Sequence, residues 1–304
     1  MVSSRQRSAG LAAWVLLIAL AGCGGGSGTP AAGSRLLAPD VTDVTAMVAL
    51  PDGSVRVGLR ASGEIRDVSA TGAVGPPVAD VGVRTDGQRG LLGVAVHADG
   101  RTFAAWIRPD GRLVVGQVAP GATRLVWEGP PSTDISNGGH LASRDGRLVI
   151  GVGDLLRNEL IDDLTAINGK LVSLDPEGPP DQQPQPVSAG WNNPFAFTVV
   201  DDGTIWVADN APGDTGERLM RGDADSGDGV ELPAGTAPAG IDHLGADQLV
   251  VCGFKSGALL RYRIVDSRPT RHEDLAGDCQ TATVVRAGGD VVYAAADGLR
   301  VVTP

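Results

Sequence analysis

The sequence predicts an all-β chain, a six-bladed β-propeller of four-stranded antiparallel blades, and three observations carry that expectation. The first is self-similarity. Apolar residues, a tight Asp-containing turn and a Val-rich run recur around Asp52, Asp99, Asp145, Asp202, Asp247 and Asp290, at spacings of 47, 46, 57, 45 and 43 residues. Near-equal periods of this length mark propeller blades. The second is a trailing motif in each unit, ASGEIRDV, RPDGRLVVGQV, GKLVSLDPEG, GERLMRGD, SGALLRYRIV and DGLRVVTP, so that each unit carries two hairpin signals and therefore four strands. The third is composition: 42% of residues are hydrophobic but only 4% aromatic, with 44 glycines. That describes a core of Val, Leu, Ile and Ala on short strands joined by tight turns, without long helices.

Taken in order, the units read VALPDGSVRVGL, VAVHADGRTFAAW, LASRDGRLVIGVGD, FTVVDDGTIWVAD, IDHLGADQLVVCGF and VVRAGGDVVYAAAD. In each, alternating apolar residues flank a turn in which Gly or Asp takes the conformation a hairpin needs. The six units fill residues 35–304 as one domain. The extra length of the third unit falls around Asp175–Ser188, a Pro- and Gln-rich stretch expected to be a surface loop.

Ahead of the repeats, residues 1–22 have the layout of a signal peptide, with Arg5 and Arg7 followed by an apolar run from Leu11 to Ala21. Leu20-Ala21-Gly22-Cys23 resembles the bacterial lipobox, so Cys23 is expected to carry acyl chains. Residues 23–34, rich in Gly, Ser and Pro, then form a flexible tether, and the protein is expected on the extracytoplasmic face of a bacterial membrane. The formal charge of −11 argues against nucleic acid as a partner. Cys252 and Cys279 are the other cysteines; outside the cytoplasm they form either a disulfide or two buried thiols.

The loops between the strands carry a further pattern. Gln88-Arg89-Gly90-Leu91-Leu92-Gly93, Asn137-Gly138-Gly139-His140-Leu141, Gly151-Val152-Gly153-Asp154, Gly169-Lys170-Leu171, Trp191-Asn192-Asn193-Pro194-Phe195 and Trp206-Val207-Ala208-Asp209-Asn210 follow in this order. The series resembles the soluble glucose/sorbosone dehydrogenase family, from about residue 40 to the C-terminus. The resemblance implies a six-bladed propeller that oxidises sugars with pyrroloquinoline quinone and calcium. It places Gln88, Asn193 and Lys255 against the quinone, and Ala211, Pro212 and Glu217 around calcium.

The sequence departs from that family at several points. Ser136 stands where the family has its His general base, and a serine hydroxyl has no basic form near neutral pH. His140, four residues on, is the candidate substitute. Asn192 stands where the family has Arg, and GDCQTATV over residues 277–284 stands where paired arginines are expected. A tricarboxylate cofactor loses charge-assisted hydrogen bonds by these changes. The acidic turn Asp223–Asp228 lacks the glycine and glutamate placement of an EF-hand loop. No G-x-S-x-G, H-E-x-x-H or P-loop motif occurs. Two readings follow: a quinone-dependent sugar dehydrogenase with a remodelled pocket, or a propeller that binds a small ligand or a protein through its top face without that chemistry.

Overall fold

The computed structural model describes residues 33–212, 216–222 and 229–304. The signal segment, Cys23, most of the tether, Gly213 and the Asp223–Asp228 turn lie outside the described residues. The rest forms six four-stranded antiparallel sheets. Blade 1 contains β2 (Val44–Ala49), β3 (Val55–Leu59), β4 (Glu64–Val68) and β5 (Val74–Asp80), and blade 2 contains β6 (Leu91–Val96), β7 (Thr102–Ile107), β8 (Arg112–Ala119) and β9 (Ala122–Pro131). Blade 3 contains β10 (Gly138–Arg144), β11 (Arg147–Val152), β12 (Lys170–Leu174) and β13 (Gln185–Ala189). Blade 4 contains β14 (Ala196–Val199), β15 (Ile205–Asp209), β16 (Arg218–Arg221) and β17 (Val230–Glu231). Blade 5 contains β18 (Pro238–His243), β19 (Gln248–Gly253), β20 (Leu259–Val265) and β21 (Arg268–Ala276). Blade 6 contains β22 (Thr283–Val285), β23 (Val291–Ala295) and β24 (Gly298–Val302), and its fourth strand is β1 (Arg35–Pro39), paired with β24.

Each repeated Asp lies in the turn between the first two strands of its blade. Three of them close that turn with their own side chains: Asp52, Asp99 and Asp202 accept the backbone N–H of Ser54, Arg101 and Thr204. The stretch expected to be a loop at 175–188 is only partly one, because Gln185–Ala189 pairs with β12 as the outer strand of blade 3. The long connection of that blade is instead the one between β11 and β12.

The first strands of the blades touch one another around the axis, and their packing is tied by bonds between blades. Thr45 Oγ1 donates to Leu91 O (2.5 Å) and Thr198 Oγ1 to Asp242 Oδ1 (3.0 Å), while Asp242 Oδ2 accepts the Val285 N–H (2.7 Å). Thr281 Oγ1 bonds Val44 O between the last blade and the first. Between the blades, fully buried Val, Leu, Ile and Ala side chains form the core, as a chain poor in aromatics requires. Cys252 and Cys279 are bonded and join blade 5 to the connection leading into blade 6. Among the described residues no helix is long and apolar enough to cross a membrane.

Candidate functional site

Because every blade begins with its inner strand running in the same sense, the loops that precede those strands gather at one end of the axis. There a cavity of about 270 Å³ opens, lined by residues from all six blades. Blade 1 supplies Asp43, Thr45 and Arg60; the connections into blades 2 and 3 supply Gln88 and Asn137. Asn193, Phe195 and Asn210 come from blade 4, Pro238 and Phe254 from blade 5, and Gln280 and Thr281 from blade 6. A larger hollow of about 580 Å³ lies on the flank between blades 2 and 3, against Trp127, Pro180 and Pro184. Convergence of six blades, not size, makes the axial mouth the candidate site.

Two of the expected residues line this mouth. Gln88 is exposed there, its Oε1 accepting the Ser136 backbone N–H (3.3 Å). Asn193 is buried, with its Oδ1 accepting the Gly138 N–H (2.9 Å), so its Nδ2 side faces the cavity. The strings Asn137-Gly138-Gly139 and Gly151-Val152-Gly153 have a packing cause. A Cβ on Gly151 would collide with Pro194 O, just ahead of blade 4, and one on Gly153 with Ser136 O, in the loop leading into blade 3, so the first glycine lets blade 3 close against blade 4 and the second lets the Ser136 loop lie against its own blade.

His140 and Lys255 are at the same end but outside the lining. The His140 ring packs edge-on against Phe197 (4.8 Å between centroids) and Phe195 (6.4 Å), and hydrogen-bonds the Phe197 backbone. Burial is the main cause that pushes its pKa down to about 4, so at neutral pH it is an uncharged ring in the wall between blades 3 and 4. Lys255 is exposed beside Phe254, its backbone N–H donating to Thr236 O (3.2 Å) and its aliphatic stem lying over Gly235.

Ser136, expected from the resemblance to stand where the family has its base, adopts a left-handed backbone (φ 57°), and its hydroxyl bonds the carboxyl of Asp154. Asp154 is buried, and that burial raises its pKa against the bonds it receives from Leu156, Asn158 and Ser136. It is a site residue not singled out from the sequence, although a carboxylate closing the run Gly-Val-Gly was a visible signal. Asn192 turns its Nδ2 onto Asp209 Oδ2 (3.2 Å) and accepts from Asn158 (2.7 Å). Asp209 is fully buried and accepts the backbone N–H groups of Asn192 and Asn193 as well as the Arg218 guanidinium, which fixes the blade 4 side of the mouth.

The two cofactors implied by the resemblance can be tested against these residues. Among the described residues lining the mouth, only Asp43 and Arg60 carry charge, and they pair with each other (3.0 Å). That donor set does not fit a tricarboxylate, which needs several uncommitted cations. For calcium, Glu217 is buried beside the loop that begins at Ala211 and Pro212, but its Oε1 already accepts the Ala237 N–H (2.8 Å). No cluster of three or more His, Cys, Asp or Glu side chains suited to a metal occurs among the described residues.

The fold and its axial mouth define a six-bladed propeller with a ligand-sized site. The chain belongs to the Glucose / Sorbosone dehydrogenase family, whose model matches residues 41–219. Among solved structures it is similar to a glucose dehydrogenase at 20% identity and a TM-score of 0.77, over 89% of this chain and 98% of that one. It is also similar to the PQQ-bound form of the aldose sugar dehydrogenase from Streptomyces coelicolor (20% identity, TM-score 0.71, 90% of this chain and 98% of that one). A third likeness is to the soluble aldose sugar dehydrogenase from Escherichia coli in its apo form (18% identity, TM-score 0.76, 90% and 99%). No curated protein sequence matches the chain.

Proposed function

We propose that this member of the family binds a neutral, sugar-like ligand at the axial mouth and does not oxidise it through pyrroloquinoline quinone. One observation carries the reading. Four carboxamide side chains, Gln88, Asn193, Asn210 and Gln280, line the mouth, the Asn137 amide there being spent on the Thr133 backbone, while among the described lining residues the one cation and one anion neutralise each other. Carboxamides offer donors and acceptors together, which suits a molecule bearing several hydroxyl groups. The backbone N–H groups of Asn210 and Gln280 are committed to Asn193 O and Ala294 O, so their side chains supply the bonds to a ligand. Calorimetric titration with a panel of sugars and methyl glycosides tests this. Binding of at least one of them, weakened about fivefold by Asn210→Ala or Gln280→Ala at about 1 kcal/mol per hydrogen bond, supports the site. Absence of binding across the panel overturns it.

The rival reading, a quinone-dependent sugar dehydrogenase, is supported by family membership and by the quinone-bound relative. It requires a base at the place of Ser136 and cations that are absent among the described residues lining the mouth, and equilibrium dialysis against the quinone decides between the two. The proposal includes the cell envelope as the location, with Cys23 as the acylated anchor. Metabolic labelling with a palmitate analogue checks it: label should enter the wild-type protein and be absent from Cys23→Ser.

A further inference from the structure

Two successive leucines in the loop after β11, at the same end as the mouth but outside its lining, Leu155 and Leu156, both adopt left-handed backbone conformations, with φ of 54° and 60°. A γ-branched residue in that region is strained, and two in a row persist only where their surroundings enforce it. The enforcing bonds are visible. Ser136 O accepts the Leu155 N–H (3.2 Å) and Asp154 Oδ1 accepts the Leu156 N–H (2.9 Å). Leu155 is repaid by burial in the core against blade 2 and blade 3 side chains, but Leu156 is 55% exposed. Packing therefore gives no reason for a leucine at 156, where glycine would relieve the strain.

Other apolar side chains stand out on the same end. Ile135 is 45% exposed and adjoins Ser136, whose N–H holds Gln88; Phe254 is 41% exposed and itself lines the mouth. The cavity of about 270 Å³ is smaller than the roughly 300–1,000 Å³ of pockets that enclose drug-sized ligands. A cavity of that size takes about one sugar ring, so a substituent on the ring would extend past the mouth to the end of the propeller where Phe254, which lines it, and Ile135 and Leu156, which do not, are exposed.

We propose that the Asp154–Leu156 turn, with Ile135 and Phe254, forms an apolar rim that recognises a substituent on the bound sugar, so that the preferred ligand is a neutral glycoside with an aryl or alkyl aglycone. This rests on the reading of the mouth as a neutral-sugar site. The turn keeps a strained conformation because it holds Leu156 where the aglycone is covered.

The test compares methyl and 4-nitrophenyl glycosides of glucose, galactose, mannose and xylose by calorimetry on the full chain. Covering about 60 Å² of apolar surface is worth about tenfold in affinity, so the 4-nitrophenyl member should bind about tenfold tighter than the methyl member of the same sugar. Leu156→Gly should keep the affinity for the methyl glycoside and a melting temperature at or above that of wild type, yet lose most of the aryl preference. Phe254→Ala should weaken the aryl series more than the methyl series. Equal affinity for the two series in the wild-type protein, or an aryl preference that survives both substitutions, overturns the inference while leaving the neutral-sugar reading in place. If neither series binds, the neutral-sugar reading itself fails and takes this inference with it.

Discussion

Replacing Asp209 with alanine should destabilise the fold more than any other single change at the mouth. The carboxylate is fully buried and accepts Asn193 N–H at 2.9 Å, Asn192 N–H at 3.0 Å and Asn192 Nδ2 at 3.2 Å, and it pairs with Arg218 at 3.2 Å. Removing it strands the buried Asn193 N–H and the partly buried Asn192 N–H, at about 1–3 kcal/mol for a fully buried donor, and leaves Arg218 without its anion. The Arg218 side chain is 35% exposed and keeps its stacking on Trp191 (5.3 Å), so part of its loss is recovered by water. The total is about 3–5 kcal/mol, the range for breaking a buried pair by removing one partner. At about 2–4 °C per kcal/mol for a domain approaching this size, the melting temperature should fall by roughly 6–20 °C. Asp209→Asn keeps one acceptor oxygen and should lose about half as much. Thermal unfolding followed by circular dichroism, with urea titration at 25 °C alongside, measures both. A melting temperature for Asp209→Ala within about 2 °C of wild type would refute the idea that this carboxylate organises blade 4.

Acid should destabilise the protein through His140. Its pKa in the folded state, about 4, lies below the 6.5 of an unhindered imidazole, so the unfolded chain binds the proton first. Stability is therefore full above pH 6.5 and declines as pH falls towards 4, by on the order of 3 kcal/mol, and urea titrations across this range should show a flatter decline in His140→Gln. The Cys252–Cys279 bond, with a sequence separation of 27, should contribute about 3.5 kcal/mol by restricting the unfolded chain; the double alanine variant compared with the oxidised protein in urea measures it. Lys170, buried with its Nζ donating to Ile161 O (2.6 Å) and Asn168 O (2.7 Å), fastens the connection between β11 and β12. Lys170→Met should speed hydrogen exchange over residues 158–169 before other regions change.

Much of the architecture was legible because each blade is specified locally. An Asp side chain that closes its own turn, between runs of alternating apolar residues, announces a hairpin wherever it falls, as Asp52, Asp99 and Asp202 do. What local pattern does not show is pairing between distant segments. Nothing in Arg35–Pro39 signals that it completes blade 6 with β24, and the Pro-rich run ending at Ala189 looks like a loop because its pairing to β12 is not written in its own composition. Of the expected site residues, Gln88 and Asn193 line the mouth, because the loops that carry them precede the inner strands. His140 was placed by the aromatic pocket formed with Phe195 and Phe197, which sequence spacing does not show. Gln280 lines the mouth from a segment with no pattern of its own, so its sequence does not mark the amide as part of a site.

The most direct test of a neutral, quinone-free mouth is equilibrium dialysis of the purified protein against pyrroloquinoline quinone with calcium, followed by absorbance of the retained fraction and dye-linked sugar oxidation. With Arg60, the one cation among the described residues lining the mouth, paired to Asp43, the proposed reading predicts no saturable retention of quinone and no turnover above background. Stoichiometric, tightly held quinone with sugar-dependent dye reduction, abolished by Lys255→Ala, would contradict the account.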